Sequence, residues 1–462
     1  MATATQEPAA IQSLNDPRIK EKLQELRQTD NYTNVFYLLR TYVYLAAVIV
    51  GTLLFYSINE WSLWLNVPIT IVAIILVGAG QHQLTGLAHE ASHHILLKSR
   101  FWNDFVSDWF CMFPLFSSTQ HYRLQHIAHH QFVNDPDRDP DVSQLQTSGH
   151  WLDFPVDKAT FLFTLLKQLW LPNLFRFIQI RAAYNAIPTD KNPYLKKGWT
   201  PNKTTVRVGI GYMLALIGVL AWFVYDANPL LLAIVPAAMY SAVMAFYSII
   251  PEEMFHQSRV HPVISMRVMT LLRMTHVSLI FNGLAWLSLY VTPYAGLYYL
   301  LLWVVPIFTS FSFFMILRQL VQHGNGGRGW LTNTRVFFVN PLINFAVFPM
   351  GQEYHLPHHL YASVPHYRLE ELHELLSQCA EYRDQAVVVE GYFMPYDDPP
   401  TKPTVLDVVG PQYHHQSADV YIDNDVLEGE QVEDKDDILR QGEEEKRKAQ
   451  AVSTTDERDE RR

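Results

Sequence analysis

Apolar residues along this chain gather into stretches of membrane-crossing length, about 20 residues each, and the stretches come in pairs. The first pair covers residues 36–58 and 63–87, and the second covers 206–225 and 229–250. A third runs over 277–290 and 297–317, broken at Thr292-Pro293, and its first member is short. Each pair reads as a helical hairpin. The pattern therefore predicts an all-α, multi-pass transmembrane protein of six spans, with four spans and one interfacial pair as the alternative. Two more stretches read as surface-bound. Residues 105–116 are too few to cross, and 160–184 mix Trp170, Phe175 and Phe177 with Lys167, Arg176 and Arg181, as a helix in the headgroup plane does.

Charge orients the hairpins. The turns 59–61, 226–228 and 291–296 carry no Lys or Arg, whereas the opposite side holds a series from Lys98 and Arg100 to Arg328 and Arg335. Positive residues stay cytoplasmic, so both termini and a helical cap are expected on the cytoplasmic face of a bacterial plasma membrane or the endoplasmic reticulum. The first thirty residues are polar and charged. No cleavable signal peptide is expected there, and targeting would rest on the first span.

Composition agrees with burial in lipid. Of 462 residues only 17% are charged, against roughly 25% in soluble domains. Residues 417–462 hold sixteen Asp/Glu against eight Lys/Arg, a net of −8 out of the chain's −10. The expected organisation is a polar N-terminus (1–35), a membrane domain (36–380), an extension (381–416) and an acidic, disordered tail (417–462). The cysteines, Cys111 and Cys379, are too few and too far apart for a disulfide framework or an iron–sulfur cluster. No phosphate loop, internal repeat or basic stripe is visible, so no nucleic-acid partner is expected.

Ten of the twenty histidines fall into four clusters, each just outside an apolar stretch: His89, His93 and His94; His126, His129 and His130; His323; and His355, His358 and His359. Residues three and four apart share a helix face, so His126, His129 and His130 can converge, as can His89 and His93. Pro357 suits a first helical position, which would let His358 and His359 open a helix while His355 reaches in from the preceding turn. One zinc takes four ligands. Nine or ten imidazoles therefore imply two metal ions, and zinc, copper or iron would suit them. His89-Glu90-x-x-His93 alone also fits a zinc protease, with Glu90 as general base, but that leaves the other clustered histidines without a role.

The boxes H-E-A-S-H-H, H-I-A-H-H and H-L-P-H-H, in this order around further spans, resemble the membrane-bound fatty acid desaturases and their hydroxylase relatives. The likeness runs over residues 80–376 and includes H-H-Q-F-V-N-D-P-D-R-D-P-D after the second box. It implies a di-iron centre that uses O2 and two electrons to desaturate a fatty acyl chain; zinc has no redox chemistry. Carried over by position, the metal ligands are His89, His93, His126, His129, His130, His323, His355, His358 and His359, with His94 as a further candidate. Electrons would come from a separate donor of ferredoxin or cytochrome b5 type. Hydroxylation of a fatty acid, or hydroxylation or ketolation of a carotenoid, is the alternative on the same chemistry. Glu90, Glu353, Asp135, Asp139 and Asp141 are candidates to orient the imidazoles. His82 reads as a buried, hydrogen-bonded histidine, His121, His256, His261 and His276 as bystanders, and His366, His373, His414 and His415 as surface residues.

Overall fold

The computed structural model describes residues 11–58, 63–186, 192–414, 419–444 and 447. Six helices are long and apolar enough to cross a membrane: Thr33–Ile58, Trp64–Ser92, Thr204–Tyr225, Pro229–Ile249, Met266–Tyr290 and Ala295–Gln322. The protein is thus all-α and multi-pass, with six candidate spans. The fifth span starts eleven residues earlier than the apolar run suggested. Arg267, Arg273 and His276 interrupt that run but not the helix, because each finds a place at the cap end. Arg267 pairs with Glu252 at 2.8 Å, the Arg273 guanidinium lies over the Phe113 ring, the His276 ring meets the Trp109 ring edge-on, and Ser265 accepts from Val268 N to start the helix. Its partner, the sixth span, is interrupted twice. A π-helical turn occupies Leu300–Val304, and the backbone breaks at Thr309 (φ −126°, ψ −96°), shortly after Pro306, which has no N–H to continue the ladder.

The second and sixth spans are joined along their length. Ser310 Oγ donates to the Ile74 carbonyl at 2.6 Å, and Gly78 lets the two backbones approach, since a Cβ there would overlap the Ser310 side chain and lie 2.7 Å from Phe311 N. Above this seam sits the cap. Its central helix, Thr119–Gln131, is buried over nearly its whole length. Arg123 fastens it to the end of the second span: its guanidinium donates to Asp104 Oδ2 at 2.8 Å and Oδ1 at 2.5 Å, and to the carbonyls of Ala91 (2.8 Å) and Ser92 (3.0 Å). A buried fork of this kind is expensive to break, about 3–5 kcal/mol when one partner is removed. Helices Lys158–Gln168 and Leu171–Ala186 stand where the interfacial stretch was expected. At the far side Arg335–Phe338 pairs in parallel with Val387–Glu390, a two-stranded element that no periodicity announced.

The N-terminal helix Pro17–Leu26 buries Ile19, Leu23 and Leu26 against Leu369, Leu372 and Leu376. Residues 417–462 do not behave throughout as the disordered tail expected. Residues 419–444 are folded onto the cap, with Ile422, Leu427 and Ile438 buried and a bridge between Val432 and Val260. Leu427 and Ile438 pack against Leu124, Ile127 and Ala128 on the outer face of the central cap helix. Acidic composition misled here because a few apolar residues at the right intervals suffice to dock such a segment. Residues 415–418 and 448–462 lie outside those described.

Gly78→Leu should wedge the second span from the sixth and cost about 1–3 kcal/mol. Thermal unfolding in detergent is expected to give a lower Tm; an unchanged Tm would mean that this contact does not hold the spans together.

Candidate metal centre

The boxes meet at one end of the bundle and sort into two groups. His89, His93, His126, His130 and His358 present ring nitrogens within 4.8 Å of one another, and so do His129, His323, His355 and His359. All but His93 are buried. Closest approaches are between Nε2 atoms: His93 to His126 at 2.9 Å, His130 to His358 at 3.0 Å, His323 to His129 at 3.1 Å and to His355 at 2.9 Å. Two nitrogens bound at about 2.1 Å to one ion, at a right angle, lie about 3.0 Å apart. The spacing and the donor type both fit a metal ion in each group.

Helical geometry explains the division. His126 and His130 are four residues apart and share a face, whereas His129 precedes His130 by one residue and so points about 100° around the helix. The third box departs from the expected form. The helix begins at His355, with Pro357 inside its first turn, where a backbone N–H has no partner within the helix and its loss costs little.

Protonation suits ligation. Burial, followed by the fields of neighbouring histidines, holds His93, His126, His130, His355 and His359 well below their ordinary range, and His358 is brought to about 3. Neutral rings keep a lone pair for a metal. His129 goes the other way. Burial opposes its charge, but Asp139 overcomes it and raises His129 to about 9. Asp139 accepts from Nδ1 at 3.0 Å, which turns Nε2 towards His323. His323 is fixed alike, its Nδ1 donating to the Asn333 carbonyl at 3.0 Å, so Nε2 carries the lone pair.

The other expected residues fare unequally. His94 stays outside both groups: it sits just past the helix end in the left-handed region (φ 59°), and its Nε2 faces Glu430 Oε1 at 2.8 Å. Glu90 accepts from His366 N at 2.8 Å, and its other oxygen stands 3.6 Å from His89 Nδ1; this carboxylate is committed to holding a loop. Asp135 pairs with Arg138 and Arg328, Glu353 accepts from Asn344, and Asp141 lies 4.0 Å from His129 Nδ1. His82 is hydrogen-bonded to the Ala346 carbonyl as expected, and His121, His256, His261 and His276 join neither group. His366, read as a surface residue, is buried, with Nε2 3.0 Å from Asn34 Oδ1. His373 is also part-buried, against the Tyr382 hydroxyl, while His414 is exposed and His415 lies outside the described residues. Gln352 was not foreseen. Its amide lies 3.1 Å from His89 Nε2, brought there by the turn at Gly351 (φ 74°).

Two cavities adjoin the imidazoles. One, of about 310 Å3, is polar, reaches His93 and His94, and has tail residues Asp423 to Glu430 as its wall. The other, of about 210 Å3, is mostly apolar and bounded by Ala88, Met112, Tyr122, Phe308 and Phe311. The Tyr122 ring stacks on His126, with centroids 5.4 Å apart, so this cavity shares a wall with the first group.

A family model described as fatty acid desaturase matches residues 62–270 and 253–389. Dihydrorhizobitoxine desaturase of Bradyrhizobium elkanii is 33% identical over 132 residues, 28% of this chain and 34% of that protein. Delta(5) fatty acid desaturase fat-4 of Caenorhabditis elegans is 29% identical over 125 residues, 27% of this chain and 25% of that protein. Delta 8-(E)-sphingolipid desaturase of Candida albicans is 26% identical over 164 residues, 31% and 27% respectively. The matched stretches thus span about a third or less of each relative.

Asp139→Asn, which keeps an acceptor for the Asp141 N–H but loses the charge facing His129, should weaken metal binding about 10- to 100-fold. Competition with a chelator measures this. His94→Ala should leave the number of metal ions per chain unchanged and His358→Ala should lower it; the opposite pattern in elemental analysis would reverse the two assignments.

Proposed function

The chain belongs to the fatty acid desaturase family and is a membrane-embedded oxidoreductase, and on that premise we propose that it introduces a double bond into an acyl chain at a di-iron centre, with O2 as co-substrate. The observation that carries this reading is the division of nine imidazoles into groups of five and four. One iron would be held by His89, His93, His126, His130 and His358, the other by His129, His323, His355 and His359. Two irons bound there supply redox chemistry that no side chain has, the activation of O2 to an oxidant able to take hydrogen from an unactivated methylene.

The protein's own contribution is placement and dryness. Burial keeps the imidazoles other than His129 neutral, and Asp139 and the Asn333 carbonyl fix which nitrogen of His129 and His323 points inward. Tyr122 and Ala88 bring the apolar cavity against the first group, where a methylene would lie among Met112, Phe308 and Phe311. Such walls hold an acyl segment by area and exclude water. A zinc protease built on His89 and His93 receives no support, since Glu90 is spent on the His366 backbone. The charge asymmetry of the loops supports a cytoplasmic position for both termini and the imidazoles. Electrons are proposed to come from a donor of ferredoxin or cytochrome b5 type.

Elemental analysis of purified protein should find about two irons per chain; a single zinc sinks the di-iron reading. His323→Ala should abolish oxidation, whereas a protease dependent on His89 and His93 would tolerate it. Expression with a competent electron donor, followed by mass spectrometry of total lipids and pigments, should reveal new double bonds. New hydroxyl groups or modified carotenoids would assign the chain to the hydroxylase or ketolase branch instead.

A further inference from the structure

The apolar cavity contains two cations that its role as an acyl site leaves unexplained. Arg181 and Arg318 both line it. Arg318 is 8% exposed and makes no hydrogen bond or ion pair among the described residues, and its Nε is buried without a partner. Arg181 makes one bond, Nη1 donating to the Gln144 side-chain oxygen at 3.1 Å. The carboxylate whose field reaches both, Asp141, is half-exposed, sits beside His129 and is bonded to neither guanidinium.

Burying an unpaired charge costs far more than burying a neutral polar group. A lysine would relieve that cost by losing its proton, but a guanidinium stays charged at any physiological pH. Two such groups around a cavity of apolar walls are therefore arranged for an anion that occupies it. The planar fork of donors matches a carboxylate in bidentate fashion. Size limits the occupant. A cavity of ~150 Å3 holds benzene, and this one, at about 210 Å3, takes an acid group with a short run of methylenes.

We propose that Arg318, assisted by Arg181, binds the carboxylate of a free acid substrate inside this cavity, so that the carbons oxidised lie close to the carboxyl end. The assignment rests on the desaturase reading for what happens to the substrate, but not for its binding. It separates this chain's substrate from acyl groups carried as esters or thioesters, which present no carboxylate at that position.

Binding distinguishes the possibilities without turnover. Iron-loaded, full-length protein in zwitterionic nanodiscs is equilibrated with labelled octanoate, which is displaced by unlabelled octanoate, 1-octanol or octyl phosphate. Octanoate should compete about ten- to a hundredfold better than 1-octanol, the advantage expected of charge-assisted hydrogen bonds. Arg318→Gln should erase that preference while retaining about two irons per chain, Arg318→Lys should keep part of it, and Arg181→Gln should reduce it. Equal competition by 1-octanol, or unchanged octanoate binding by Arg318→Gln, overturns the proposal. Tighter binding of octyl phosphate overturns the carboxylate in favour of a phosphate headgroup. If octanoate is preferred through Arg318 but no acyl substrate is ever oxidised, the anion site stands and the desaturase reading falls. If long acyl esters are desaturated with no preference for acids, the anion site alone falls.

Discussion

Nine imidazoles with their nitrogens turned towards one another, eight of them buried, are the constraint on which the rest of this structure depends. Neutral rings in that position repel wherever two lone pairs meet, and each facing pair can share at most one hydrogen. Nothing in the side chains themselves relieves this, so the surrounding protein has to hold them in place. Arg123 ties the helix of the second box to the end of the second span through a carboxylate and two carbonyls. Asp139, which also caps the following helix, fixes one ring, and the Asn333 carbonyl fixes another. The spans, cap helices and small sheet are best understood as the frame for that convergence.

The second and sixth spans do double duty in this frame. Their backbones approach closely at Gly78 and Ser310, and they carry His89 and His323 at the ends that enter the cap. Displacement of one span relative to the other would move a member of each imidazole group. The π turn and the break at Thr309 let the sixth span bend so that Phe311 and Arg318 face the apolar cavity while His323 still reaches the second group.

Much of this was legible in the sequence, and the parts that were not share a cause. Hydropathy gave five spans nearly at full length but shortened the fifth, because Arg267 and Arg273 lower an average without bending a helix. Spacing identified the box histidines, yet it could not divide them into five and four, since that depends on the direction of His129 relative to His130 once the helix is docked. His94 was included because it is adjacent in sequence, and excluded by a positive φ that only the folded chain reveals. Glu90, His366 and Gln352 owe their roles to a loop arriving from more than two hundred and fifty residues away. Local pattern predicts what a helix face offers; it does not predict which distant segment will meet it.

The tail carries a consequence of a different kind, one of timing. Residues 422–438 supply part of the hydrophobic cover of the central cap helix, and Glu430 closes over His94 beside the polar cavity. The imidazoles themselves are all in hand once residue 359 has been made. During synthesis there is thus an interval in which all nine imidazoles exist in the chain but the segment that covers one flank does not, and the cavity beside His93 lacks that wall. Metal delivered in that interval would meet a wider opening than any that exists in the finished protein.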